Sequence, residues 1–204
     1  AANGEMVYWF SDRDGMKNHG SWGAESDVYG LLLNQEAYDQ FNLSKEEKGL
    51  WDEQKKEGKK DEKASKDKDN ETEAIRLNID FKDLKKRKER LTIHSSRLSD
   101  AVLSKDGETL FYLARFEKNY DVWMTKLRTK ETKLFTKLGA RSAALVLGTK
   151  GESLYVLADG KPHKIDTKSG DKKSLKFKGE MALKKGEEHA YIFEHTWKQV
   201  KDKF

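Results

Sequence analysis

The sequence contains no cysteine, which excludes a disulfide framework, a thiolate metal site and a cysteine nucleophile. It also lacks any apolar run approaching the ~20 residues of a transmembrane helix, so no helical membrane span is expected. An excess of one charge is missing too: 41 Lys and Arg stand against 36 Asp and Glu along the whole chain. The formal net charge of +5 therefore reads as solvated surface, and no nucleic-acid partner is expected. No secretory signal is visible, but the chain opens directly on a strand turn, so compartment stays open. What is present is charge, 38% of 204 residues, set between short apolar segments of strand length.

The most regular of these segments is Ser99 to Lys137, SDAVLSKDGETLFYLARFEKNYDVWMTKLRTKETKLFTK. A first strand, Asp100–Leu103, meets the turn Ser104–Lys105–Asp106–Gly107, where Asp-Gly supplies the positive φ of a tight hairpin. Strands follow at Thr109–Ala114, Asp121–Leu127 and Lys133–Lys137, with turns at Glu117–Tyr120 and Thr129–Thr132. Four short strands joined this way make a unit the size of one propeller blade.

The unit repeats on both sides. Downstream, LVLGTKGESLYVLA (Leu145–Ala158) matches AVLSKDGETLFYLA (Ala101–Ala114), and the turn Asp166–Gly170 replaces Arg128–Thr132. Upstream, GEMVYWFS (Gly4–Ser11) fits Gly107–Ala114, and SDVYGLLL (Ser26–Leu33) fits the strand holding Asp121, Val122 and Trp123. The segment Ile79–Thr92 completes that earlier unit. The expected fold is thus mainly β: about three four-stranded antiparallel blades over residues 1–97, 98–139 and 140–178.

Two stretches depart from the strand pattern. Residues 34–74 form an insertion in the first unit, with Asn34 capping a helix that holds Ala37, Tyr38 and Phe41. Ser44 with Glu47 makes a capping box for a second helix, whose apolar contact would come from Leu50 and Trp51. Glu57–Thr72 is almost wholly polar, too poor in apolar surface to offset ordering, and is expected to be mobile. Ile75, Leu77 and Ile79 then resume strand alternation. From Glu187 the apolar positions Ala190, Phe193, Trp197, Val200 and Phe204 recur at helical spacing opposite Glu194, Lys198 and Lys201. Such a stripe must pack on something, either the last blade or a further domain that residues 179–204 would introduce.

Candidate site residues are few, and none is assigned a catalytic, cofactor-binding or metal-binding role. The glycine-punctuated loop Ser11–Asp27 places Met16, His19 and Trp22 where they could line a pocket. The alternative is that Trp22 folds back and Asp12, Asp14 and Glu25 cap turns; their spacing does not fit a calcium loop. Lys85–Lys88 is a basic cluster that could attract phosphate, offset by Asp80, Asp83 and Glu89. His94, Ser95 and Ser96 suggest a hydrolase, yet no orienting acid is placed by spacing and no glycine-flanked nucleophile turn surrounds either serine. His163 and His189 read as isolated surface residues.

Three strings, FSDRDGMKNHGSWGAESDVYGLLLNQEAYDQFNLSKEE, RLTIHSSRLSDAVLSKDGETLFYLARFEKNYDVW and EHAYIFEHTWKQVKDKF, closely resemble the tricorn-like serine peptidases of bacteria. In that family, amino-terminal β-propellers precede a helical region, a PDZ domain and an α/β catalytic core. The resemblance implies that residues 1–178 are the end of the propeller region and that Glu187–Phe204 opens the next domain. The family's catalytic serine, histidine and glutamate would lie beyond Phe204. It implies peptide or polypeptide substrates as partners, together with the other blades and the downstream domains. No cofactor is implied, and compartment leans to the bacterial envelope with the cytoplasm open. A noncatalytic role in guiding peptides is expected; the alternative is an interaction propeller without an attached peptidase. Three blades do not close a ring, so missing blades or another copy should cover the open strand edges.

Overall fold

The computed structural model describes residues 4–19, 23–62, 77–179, 182 and 184–203. Eleven strands and three helices lie within them, and the strands form three antiparallel sheets. The first sheet orders β1 (Met6–Ser11), β2 (Asp27–Leu32) and β3 (Lys88–Arg90). The middle sheet orders β4 (Arg97–Leu103), β5 (Thr109–Arg115), β6 (Tyr120–Lys126) and β7 (Thr132–Ala140). The third orders β8 (Ala143–Leu147), β9 (Ser153–Ala158), β10 (Lys161–Asp166) and β11 (Lys172–Ser174).

The hairpin between β4 and β5 is the one the sequence calls for. Gly107 sits at φ +74°, its amide reaches the Ser104 carbonyl at 3.0 Å, and the Ser104 Oγ accepts from the Thr109 amide at 2.9 Å. Gly151 repeats the turn in the third sheet at φ +81°.

The sheets stack because β5 is apolar on both faces. Leu110, Tyr112 and Ala114 pack with Met6, Val28 and Leu32 of the first sheet, while Phe111 and Leu113 pack with Leu145, Leu154 and Val156 of the third. Each large apolar side chain so buried contributes about 1.5–3 kcal/mol. Polar bonds fix the stacking register. The Tyr8 hydroxyl donates to the Ala101 carbonyl (3.2 Å), Ser99 Oγ to the Ala143 carbonyl (2.6 Å), and the Leu145 amide to Asp100 Oδ2 (2.8 Å).

Among the described residues the first sheet has three strands, not four. Between β2 and β3 the chain spends residues 33–87 on the insertion, and Leu77 and Ile79 lie in an irregular, exposed segment that joins no ladder. Alternation there is not burial; Ile75 falls outside the described residues. The caps do form: the Asn34 side chain accepts from the Ala37 amide (2.8 Å) to start α1 (Gln35–Asn42). Ser44 and Glu47 exchange bonds at 2.8 and 3.2 Å to start α2 (Lys45–Glu62). Arg128 ties α1 to the middle sheet. Its Nη1 donates to the carbonyls of Gln40 and Leu43, and its Nη2 pairs with Glu108 at 2.7 Å. Leu50 and Trp51 do not supply an apolar anchor for α2: Leu50 is exposed, and Trp51 lies between the ammonium groups of Lys48 and Lys55. Most of Glu57–Thr72 falls outside the described residues.

The last helix, α3 (Lys185–Lys203), forms where its periodicity places it, but none of its described residues is buried. Its apolar stripe is therefore not packed on the last sheet. No helix of the described residues is long and apolar enough to cross a membrane.

Candidate functional site

Antiparallel connections put the loops 12–26 and 116–119, the turn 159–160 and the inter-sheet connectors 91–96 and 141–142 at one end of the stack. At that end three aspartates hold the chain: Asp121 grips the end of β7, and Asp159 and Asp27 grip the two connectors. Asp121 Oδ1 accepts the amides of Leu138 (2.6 Å) and Gly139 (2.8 Å). Asp159 accepts those of Arg141 and Ser142, bonds that hold its carboxyl below the usual range. Asp27, fully buried at the start of β2, accepts side chains instead: Arg90 (2.8 Å) and Thr92 (2.7 Å) on Oδ1, Ser95 (2.9 Å) on Oδ2.

This network decides the His94–Ser95–Ser96 cluster. The acid that spacing could not place is present, but the Ser95 hydroxyl is held between Asp27 and Arg90 (3.0 Å), and the exposed His94 takes no part. With His94 turned away and Asp27 also taken up by Arg90 and Thr92, no Ser-His-acid relay forms, and the bonds hold the connector in place. Ser96 is buried and bridges to Ser26 through the backbone.

Other sequence candidates are dispersed. Asp14 accepts a short bond from the Tyr29 hydroxyl, and burial together with that bond pushes the phenol up to about 12. Met16 and His19 are exposed, and Trp22 lies outside the described residues. Lys85–Lys88 is not one basic surface, because Arg87 turns inward, 1% exposed. Its guanidinium donates to the carbonyls of Leu32 (3.2 Å), Lys82 (2.8 Å) and Asp80. His163 is half-buried, not a surface residue; desolvation and the nearby Lys172 and Lys161 hold its imidazole below the ordinary histidine value. His189 is exposed on α3.

Beside these clamps lies a groove of about 490 Å³ along the outer strands of the middle sheet. Phe116 meets Trp123 edge-on with centroids 4.7 Å apart, and Leu134, opposite Trp123 in the β6–β7 ladder, extends the apolar floor. Glu117, Lys118 and Lys137 line it as well. The groove is lined by the end of β5, the loop 116–119 and the facing ends of β6 and β7. Its sequence signal is the loop 116–119, longer than the two-residue turn at 159–160 and carrying Phe116. An apolar floor with charged sides, next to an edge strand, suits one apolar side chain of an extended peptide.

The stack of antiparallel sheets is of the β-propeller type, with the sheets not closed into a ring. Among solved structures, the chain is similar to the tricorn protease over 98% of its own length and 19% of that chain, with 11% identity and a TM-score of 0.56. It is also similar to TolB from Acinetobacter baumannii over 45% of its length and 24% of that chain, with 21% identity and a TM-score of 0.39. Both are β-propeller proteins. The chain spans less than a quarter of the length of either. No protein-family model and no curated protein matches it.

Proposed function

We propose that this chain is a noncatalytic propeller segment of a tricorn-like serine peptidase, guiding or filtering peptides and positioning the domains that cleave them. The observation carrying this reading is the likeness in fold to the tricorn protease along 98% of the chain. The three resembling strings and the groove at Phe116, Trp123 and Leu134 support it. Its partners are extended peptides, the remaining blades and the downstream PDZ and catalytic domains of the same protein.

The groove sets the strength of such binding. Covering about 100 Å² of apolar surface contributes about 2.5 kcal/mol, so one seated side chain gives weak, quickly released capture. That suits passage toward a second site better than retention. Titration calorimetry with a reduced, alkylated and unfolded polypeptide tests it. Leu134, 44% exposed, can become glutamate without disturbing the core; Leu134→Glu should weaken binding at least about tenfold with an unchanged melting temperature. Absence of binding by the parent chain, or equal binding by the variant, would contradict the peptide role.

A further inference from the structure

One cross-strand pair at the loop end of the middle sheet takes no part in the clamps. Arg97 opens β4 and Arg115 closes β5, and the two stand directly opposite each other in the antiparallel ladder. Opposed residues share a face, with β carbons about 5 Å apart, and like charges so placed destabilise a sheet. The shared face is the one toward the third sheet, because Arg115 lies two residues past Leu113, which packs that way. There the Arg115 guanidinium lies over the ring of Tyr120, 5.5 Å from its centroid.

Among the described residues, neither guanidinium has a hydrogen bond or an ion pair. That separates this pair from Arg87, Arg90 and Arg128, each held by carbonyls or carboxylates of the chain. The acids around it are engaged elsewhere. Asp100 accepts the amides of Ala101 and Leu145 (2.9 and 2.8 Å), Asp121 those of Leu138 and Gly139, and Asp159 those of Arg141 and Ser142. Glu117 lines the groove. Two guanidinium forks without an acceptor, set against each other, are what one oxyanion relieves: a carboxylate matches the fork geometry and offsets both charges.

We infer, on the basis of the peptide-guiding role, that Arg97 and Arg115 bind the carboxylate of an acidic side chain. The peptides taken by this segment then carry aspartate or glutamate beside a large apolar residue. Phe116 follows Arg115 directly and lines the groove, which puts the apolar seat and the guanidinium pair at the same strand end. Apolar contact captures the peptide weakly, and the arginines select which peptide is captured.

Fluorescence anisotropy with the whole 204-residue chain tests this, using labelled, unstructured peptides in which one phenylalanine is flanked by glutamates or by glutamines. At low salt the glutamate peptide should bind at least about fivefold tighter than the glutamine peptide, and the difference should shrink as salt is raised. Arg97→Gln and Arg115→Gln should each bring the glutamate peptide down toward the glutamine peptide without changing the latter. Each should also keep or raise the melting temperature, because a repulsion is relieved. Lys105→Gln combined with Lys150→Gln removes exposed charge from the β4–β5 and β8–β9 turns at the opposite end and should leave the preference intact. Equal binding of the two peptides would overturn the inference and leave the peptide role standing; no binding of either would overturn both. A preference that survives an arginine change, or that is lost equally with the two lysines, would overturn the inference alone. So would a lowered melting temperature in either arginine variant, which would reveal partners for the guanidinium within the chain.

Discussion

Replacing Asp27 by alanine should be the most informative single change at the loop end of the stack. The carboxylate is fully buried and holds three side chains, those of Arg90, Thr92 and Ser95. Its loss leaves the buried Thr92 hydroxyl without its acceptor, and Ser95 without a partner for its proton. Each such orphan costs about 1–3 kcal/mol. Arg90 adds less, because its side chain is 36% exposed and water replaces part of the lost pairing. The sum comes to about 3 kcal/mol, or a melting temperature lower by roughly 6–12 °C for a chain of this size. Asp121→Asn provides the control: one oxygen takes both of its bonds, so an amide oxygen can replace it and the loss should stay under about 1 kcal/mol. Urea unfolding of both variants measures the difference. If Asp27→Ala unfolds within about 0.5 kcal/mol of the parent, the buried clamp is not what fixes the connector.

Arg87→Met should destabilise by about 3 kcal/mol in the same assay, since a methionine fills the space but leaves the carbonyls of Leu32, Lys82 and Asp80 without a donor. An unchanged midpoint would show that those carbonyls find other partners. His163 should make stability depend on acid. Burial lowers its folded value below that of the unfolded chain, so the unfolded state binds the proton first. Above about pH 6.5 both states are neutral and the group contributes nothing; stability should fall as pH drops below that value and level off beneath the folded value. His163→Gln should remove this part of the pH slope, and an unaltered slope would contradict the assignment.

The parts of this fold legible in the sequence are those fixed by near neighbours. Asp106-Gly107, Asn34 and the Ser44–Glu47 pair act over two to five residues, and each forms as read. The repeat extended this reach, since strand β5 could be laid on β1 and β9 with its facing pattern intact. Long-range partners were not legible. Nothing local distinguishes Arg87 from Lys85, Lys86 and Lys88; its carbonyl partners at Leu32 lie 55 residues away. Likewise Asp27 stands far from Ser95, although the shared Asp-Val-aromatic string at Asp27 and Asp121 was a signal that the two acids hold matching places. Leu77 and Ile79 misled because alternation reports a strand only where a neighbour covers one side. The groove at Trp123 is built by residues of β5, β6, β7 and the loop 116–119 together, so no single strand pattern announces it.

The most direct measurement of the account is cleavage of an unstructured polypeptide, comparing this 204-residue chain with the full-length gene product that contains it. A propeller segment of a tricorn-like peptidase predicts cleavage by the full-length protein and none by this chain purified to homogeneity. Cleavage by the short chain would contradict the noncatalytic reading and return attention to Ser95 and His94; cleavage by neither would leave an interaction propeller with no peptidase attached.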